Sequence, residues 1–270
     1  MARSKNPVLL IDADILLHRA VSFVDREFDG EPVNDWRQAE NFFDILLKKW
    51  LKEAGNYKDY YLVLSVGGNF RKGLYADYKA NRKDIEPHPA FFDLKASVMD
   101  RLASIWEEGI EADDLIGIKA TEDKDNTLVL SADKDFATVP VNLMIPTSHG
   151  RVKPDWKSFT EDEANMNWLR QTMTGDTIDN YKGIPGIGPA KAAKIIPAPA
   201  PIDVMWENVK QAFNNASLDE AEAIRMARLA RILRKGDYDF ETKEVKLWTP
   251  TNTSLPRAST TSPGSKTETS

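Results

Sequence analysis

Short apolar runs alternate with longer amphipathic stretches through the first 160 residues. Val8-Leu-Leu-Ile11 is an apolar run that ends on Asp12. That is the pattern of a buried parallel strand with a carboxylate at its C-terminal end. Open α/β sheets place their sites at that edge. Apolar residues at Trp36, Phe42, Phe43, Leu46, Leu47, Trp50 and Leu51 recur at helical spacing and predict a helix over 35–54. Residues 60–66 (YYLVLSV) read as a second buried strand. Residues 127–131 (TLVLS) read as a third, running out beside Asp133 and Asp135, and 143–145 as a fourth. Helices are expected at 90–107 and 111–122. Strands alternating with helices indicate an α/β domain over residues 1–160 with a mostly parallel sheet.

From about 161 the pattern turns helical. One helix is expected at 161–174, and GDTIDNYKGIPGIGPAKAAKII, over 175–196, reads as a glycine-punctuated turn between two short helices. A proline-rich connector at 197–201 precedes helices at 203–215 and 218–235, and 238–248 reads as a β-hairpin. Residues 161–250 thus form a helical second part. The Thr/Ser/Pro-rich end, 251–270, is expected to be disordered. Segment 67–90 breaks the alternation. Gly67, Gly68 and Gly73 interrupt regular structure, and Arg71, Lys72, Lys79, Arg82 and Lys83 form a basic run that includes Tyr75 and Tyr78.

Composition narrows the chemistry. With 270 residues and 41% hydrophobic content the chain can bury a sizeable core. No apolar run approaches membrane-spanning length, and the N-terminal apolar stretch ends too soon, at Asp12 and Asp14, for a signal peptide. There are no cysteines, which excludes disulfides and thiolate metal sites and suits a cytosolic compartment. His18, His88 and His149 lie far apart in sequence and form no zinc pattern. Any metal must be held mainly by oxygen, which favours Mg²⁺, Mn²⁺ or Ca²⁺. The net charge of −6 counts against a simple basic nucleic-acid binder, so the distribution of charge matters more than its sum.

Four segments deliver carboxylates at strand ends or helix starts: Asp12; Glu111, Asp113 and Asp114; Asp133 and Asp135; Asp176 and Asp179. Any one of them can be a solvated charge or a helix cap. As a set they are harder to dismiss, because Asp12, Asp133 and Asp135 follow apolar strands where a lone carboxylate has no packing role. Glu111, Asp113 and Asp114 crowd one turn, and their repulsion calls for a counter-charge such as a divalent cation. Asp176 and Asp179 would face the same way on a helical turn. Gathered together, these groups would hold two hard cations roughly 3.5–4 Å apart. Mg²⁺ suits such a site because it keeps waters and needs few protein ligands.

Gly183-Ile-Pro-Gly186-Ile-Gly188, followed by Pro189-Ala-Lys-Ala-Ala-Lys, is the most specific local pattern. Its glycines allow close backbone approach, and the free N–H groups at the helix start attract phosphate. Lys182, Lys191 and Lys194 supply charge for a helix–hairpin–helix that grips a DNA backbone without reading sequence; a plain packing turn is the alternative. In the basic run, Lys79 and Arg82 would share a helix face and stabilise charge on a scissile phosphate. Tyr78 could stack on a base, with Arg71, Lys72 and Lys83 as further backbone contacts; a flexible basic loop is the alternative there.

In order, Leu10-Ile-Asp12, Tyr78-Lys79-Ala-Asn-Arg82, Glu111-Ala-Asp113-Asp114, Ser131-Ala-Asp133-Lys-Asp135, Gly175-Asp176-Thr-Ile-Asp179-Asn180 and the glycine turn resemble the 5′ nuclease (flap endonuclease) superfamily. The C-terminal MARLARILRKGDYDFETKEVKLW looks like the short 5′→3′ exonucleases of lytic tailed phages. The resemblance implies a PIN-like, twisted, mostly parallel sheet with a helical arch over the site, although 67–90 is short for an arch. It implies 5′→3′ exonuclease, flap endonuclease or RNase H-type activity on duplex 5′ ends, flaps or RNA–DNA hybrids, in the cytoplasm of a host if the chain is phage-encoded. It places Asp12, Glu111, Asp113, Asp133 and Asp135 at one Mg²⁺. By the same resemblance Asp135, Asp176 and Asp179 would lie at a second, with Asp114 nearby, and Mn²⁺ would be able to substitute. Lys79 and Arg82 match arch residues, and the helix–hairpin–helix would bind K⁺ through backbone carbonyls. Two competing readings are a catalytically silent DNA-binding module, which would not need the carboxylates, and a PIN-like ribonuclease, which would lack 175–196.

Overall fold

A computed structural model describes residues 4–27, 34–83, 85–147 and 153–250. His149 and the tail 251–270, expected to be disordered, lie outside the described residues. In chain order the elements are β1 (Val8–Asp12), α1 (Ala13–Glu27), α2 (Trp36–Ala54), β2 (Asp59–Val63), α3 (Arg71–Leu74), α4 (Phe91–Arg101), β3 (Ser104–Ile105), α5 (Ala112–Glu122), β4 (Thr127–Leu130), β5 (Asn142–Ile145) and β6 (Asp155–Ser158). They continue with α6 (Glu161–Thr174), β7 (Gly175–Asp176), β8 (Tyr181–Lys182), α7 (Pro189–Ile195), α8 (Ile202–Asn215), α9 (Glu220–Ala230), β9 (Tyr238–Asp239) and β10 (Glu244–Val245). No helix among the described residues is long and apolar enough to cross a membrane.

The main sheet runs β3-β2-β1-β4-β5-β6. All its pairings are parallel except β5 with β6 at the edge. The register sets Asp12 beside Val63 and Ile11 beside Leu130. The C-terminal ends of β1, β2 and β4 therefore share one edge, and whatever follows them meets there. Strand periodicity then sorts the faces. Leu9 and Ile11 pack with Leu62, Leu128 and Leu130 under α1, α2 and α4. Leu10, Val63, Val129 and Leu143 pack on the other face under α5. Asp12 has the parity of Leu10, so it belongs to the α5 face.

The main departures from the sequence reading have physical causes. Helix α1 begins directly after β1 with no intervening turn residue to signal it. Its buried Leu16, Leu17, Ala20, Val21 and Val24 do follow helical spacing. Asp12 Oδ1 accepts from Ile15 N (3.3 Å) as a helix cap does, so one residue ends the strand and starts the helix. Helix α4 stops at Arg101, because Leu102 turns extended and Ser104–Ile105 add a short strand to β2. Helix α9 stops at Ala230, and an extended strap returns to the sheet, burying Ile232 and Leu233 against the α5 face. At Gly117 of α5 any Cβ would stand 2.3 Å from the Leu233 carbonyl oxygen, so glycine lets the strap approach. The predicted hairpin is present as β9–β10.

Helices α6–α9 build a second core around Trp168, Phe213 and Met226. The element before the glycine turn is not a short helix but the two-stranded hairpin β7–β8. Gly175 and Gly183 cross there so closely that a Cβ on Gly175 would sit 2.2 Å from Gly183 N. The basic segment carries no helix longer than α3 among its described residues, only a 3-10 turn at Ala80–Arg82. Its aromatic residues turn inward: Tyr78 is buried in the helical core, with Leu74 and Tyr75 packed against it.

Candidate active site

The carboxylates meet at the sheet edge because each follows an element that ends there. Asp12 closes β1 and accepts from Ser131 Oγ at 2.7 Å. Ser131 Oγ in turn accepts from Asp133 N at 2.9 Å, tying the ends of β1 and β4 together. Asp133 Oδ1 caps the following 3-10 turn through Asp135 N (2.8 Å). Asp113 lies in the first turn of α5, packed over the face that Asp12 shares. Asp176 and Asp179 come from the tip of β7–β8, where Asp176 Oδ1 accepts from Ile178 N and Asp179 N (2.7 and 3.2 Å). They share a side through this turn rather than through a helix. Asp12, Glu111, Asp113, Asp133, Asp135, Asp176 and Asp179 line one cleft of about 420 Å³, with Lys79 and Arg82 in its wall.

Lys79 and Arg82 do converge, but by a different route from a shared helix face. Lys79 has φ 55°, a left-handed conformation uncommon for a side-chain-bearing residue, and it starts the 3-10 turn. Its N–H donates to the Asp179 carbonyl (2.9 Å), and Asn180 Nδ2 donates back to the Asp77 carbonyl (2.7 Å). The segment is thus laced to the hairpin. Lys79 Nζ pairs with Glu111 and lies 3.5 Å from Asp179; Arg82 Nη2 lies 2.9 Å from the same Asp179 Oδ1.

Three expectations are corrected. Asp114 is fully buried and is not a metal ligand: Arg71 donates to both of its oxygens at 2.7 Å, and Leu233 N and Glu111 N donate to them as well. Arg71 is accordingly unavailable to DNA. Its guanidinium lies inside the protein, also bonded to the carbonyls of Leu229 and Arg231. Tyr78 does not present a stacking face, being 2% exposed. Its hydroxyl lies 3.0 Å from Glu111 Oε2 and 2.9 Å from Asp179 Oδ2, and its single proton can be given to either carboxylate, so it bridges two members of the site. The helix-cap role falls to Glu111 and Asp114, which form a capping box on α5, and leaves Asp113 to the cleft. Lys72, Lys83, Lys182, Lys191 and Lys194 are exposed, Gly186 and Gly188 lie on the exposed turn before α7, and Gly183 is half-buried at its close approach to Gly175.

The structure adds cleft residues absent from the sequence reading: Asp14, Ile15, His18, Ser65, Phe91, Lys95, Lys134 and Ile178. Asp14 and His18 are one turn apart on α1, and Phe91 and Lys95 one turn apart on α4. Reading α1 as a helix would have placed the first pair on one face. His18 stacks on Phe91 with ring centroids 4.7 Å apart. Asp14 accepts from Ser65 N (3.1 Å), and Ala112 N donates to Ser65 Oγ (2.9 Å).

The electrostatics are those of crowded acids. Burial pushes Asp12 up to about 7, with repulsion from Asp14 and Asp133 adding to it. Burial raises Asp113 well above the carboxylate range, and Asp12, Asp133 and Glu111 raise it further. Burial and the neighbouring Asp133 bring Asp135 to about 6. Burial would raise Glu111 too, but the cations of Arg71 and Lys79 outweigh it and lower its pKa. Among the described residues no group of three or more acidic or histidine side chains is arranged to hold a metal ion as it stands. The carboxylates spread along the cleft, a donor set of hard oxygens under mutual repulsion. That fits cations which keep several waters and take one or two protein carboxylates each, as Mg²⁺ does.

Residues 7–164 match the family described as 5′-3′ exonuclease, N-terminal resolvase-like domain. The exodeoxyribonuclease of Enterobacteria phage T3 is 27% identical, over 90% of this chain and 93% of its own. DNA polymerase I of Rhizobium leguminosarum is 33% identical over 84% of this chain, in an alignment covering 24% of the polymerase. Among solved structures, the 5′-exonuclease of phage T5 with divalent zinc bound shares the fold at a TM-score of 0.57 and 18% identity, covering 83% of this chain and 88% of that one. A complex of the phage T5 flap endonuclease with DNA and metal ions aligns at 0.56 and 16%, over the same shares.

Proposed function

This chain belongs to the 5′-3′ exonuclease family, and from that premise we propose that it is a divalent-metal-dependent 5′ nuclease which hydrolyses phosphodiester bonds of DNA near 5′ ends. The observation that carries the reading is the convergence of acidic side chains from β1, α5, the turn after β4 and the β7–β8 hairpin on one cleft that also holds Lys79 and Arg82. One Mg²⁺ would be held by one or two of the carboxylates of Asp12, Asp113 and Asp133 together with waters, and a second by one or two of Asp135, Asp176 and Asp179. When bound, such cations supply an activated water and neutralise charge on the phosphate and the leaving oxygen.

The chain's own groups do the rest. Tyr78 bridges Glu111 and Asp179 through its hydroxyl. Lys79 and Arg82 place positive charge where the scissile phosphate must lie. The Gly183–Gly188 turn and the start of α7, with Lys182, Lys191 and Lys194, would hold the DNA backbone away from the cleft. Duplex ends and flaps are the proposed substrates, RNA–DNA hybrids a further one, and the cytoplasm the proposed place of action.

The test is Asp133→Asn. With Mg²⁺ and 5′-labelled duplex, flap and RNA–DNA hybrid, the wild-type protein should release short 5′ products, and their lengths would distinguish exonuclease from flap cleavage. The variant should cut none of these while retaining most of its affinity for DNA. Undiminished cutting by Asp133→Asn would overturn the metal assignment.

A further inference from the structure

The cations in the cleft are not equivalent. On the hairpin side, Lys79 is paired with Glu111 and Asp179, and Arg82 with Asp179. On the α1–α4 side stands Lys95, half-buried on α4. Its ammonium donates to a neutral acceptor, the carbonyl oxygen of Ser65 just past β2. No ion pair among the described residues includes it. The nearby carboxylate, Asp14, takes its own donor from Ser65 N at 3.1 Å. Ser65 thus holds the lysine through its carbonyl and the aspartate through its amide, and the Lys95 ammonium keeps further donors for a ligand.

The anchoring matters energetically. A freely rotating surface lysine loses rotamer freedom when it binds a ligand, and that loss opposes binding. Lys95 is already fixed by its packing on α4 and by Ser65. A ligand that spans both sides must carry repeated negative charge and tolerate divalent ions along the floor. A polynucleotide backbone has that chemistry.

We propose that Lys95 binds a backbone phosphate next to the scissile one, so that the substrate strand is held at two successive phosphates, by Lys79 and Arg82 on the hairpin side and by Lys95 on the α4 side. This rests on the nuclease reading of the cleft. The competing role, a mere counter-charge for Asp14, predicts no loss of a phosphate contact.

The experiment is a salt titration of DNA affinity by fluorescence anisotropy. The probe is a fluorescein-labelled duplex with a 5′ single-stranded overhang, with Ca²⁺ present to neutralise the carboxylates in a geometry unsuited to turnover. For Lys95→Gln, the slope of log affinity against log salt should become shallower by about 0.7–0.9, the value of one phosphate contact. Lys95→Arg should restore the slope, and Lys48→Gln, on the exposed face of α2, should leave it unchanged. In the wild-type protein, DNA should protect Lys95 from acetylation, a measurement that needs no variant to fold. An unchanged slope in a folded Lys95→Gln protein, or full acetylation of Lys95 under saturating DNA, would overturn the proposal. With Mg²⁺ in place of Ca²⁺, a wild-type protein that shows the Lys95 slope yet never cuts would sink the nuclease reading alone. One that cuts normally while the slope ignores Lys95 would sink this proposal alone.

Discussion

Replacing Asp12 by Asn should stabilise the metal-free protein and abolish cleavage. Asp12 is 2% exposed and its pKa is pushed from 3.8 to about 7, by burial first and by Asp14 and Asp133 next. The folded carboxyl therefore holds its proton more tightly than the unfolded one. Between about pH 4 and pH 7 the folded state binds the extra proton, so stability falls as pH rises through that window and levels off above it. A shift of about 3 units corresponds to roughly 4 kcal/mol at pH 8, an upper limit for what removing the charge can return. Asp12 accepts from Ser131 Oγ and Ile15 N through different oxygens; Asn keeps only one of these acceptors and puts amide donors in place of the other, which takes back part of the gain. A net stabilisation of about 1–3 kcal/mol remains, or roughly 3–10 °C in Tm for a chain of this size. The assay is thermal unfolding of both proteins with EDTA at pH 8 and at pH 5. The gap should be large at pH 8 and shrink toward pH 5, where wild-type Asp12 is already protonated. Saturating Mg²⁺ should raise the wild-type Tm more at pH 8 than at pH 5. An Asp12→Asn protein that melts at or below the wild-type temperature in EDTA at pH 8 would refute the argument, as would a gap that ignores pH.

Other substitutions separate catalysis from architecture. Lys79→Ala should lower kcat by about 10²–10³-fold, the usual loss for one donor to transition-state charge, with a smaller change in DNA affinity; equal losses in kinetics and anisotropy would reduce Lys79 to a phosphate anchor. Arg71→Met leaves Asp114 buried without its cation and should cost about 3–5 kcal/mol. The double variant Arg71→Met/Asp114→Leu should recover part of that in denaturant unfolding, and a single variant as stable as wild type would show the pair to be unimportant. Gly117→Ala forces a methyl group against the Leu233 carbonyl at 2.3 Å and should lose about 1–3 kcal/mol. Its denaturation midpoint should fall at constant m-value, and an unchanged midpoint would mean that the strap yields freely.

Much of the architecture follows from local pattern. Val8–Asp12 and Thr127–Leu130 are strands because their runs are apolar and short, and helices Trp36–Ala54, Ala112–Glu122 and Glu161–Thr174 show through helical spacing. These elements supply the two central strands of the sheet and place Asp12, Asp113 and Asp133 at element ends, so the acidic set itself was legible. What the sequence alone could not decide is which polar groups near that edge face the cleft and which face inward. Asp113 and Asp114 are neighbours of the same type. One enters the cleft and the other pairs with Arg71, because a helix turns successive residues about 100° apart and the strap at Leu233 closes over one of them. Tyr78 and Lys79 divide in the same way, the phenol buried and the ammonium at the site. Asp14, Ser65 and Lys95 became cleft residues only through packing, since β2, α1 and α4 meet across long sequence separations. Local spacing records which face of its own element a residue occupies, whereas the partner that covers that face is fixed only when distant segments pack.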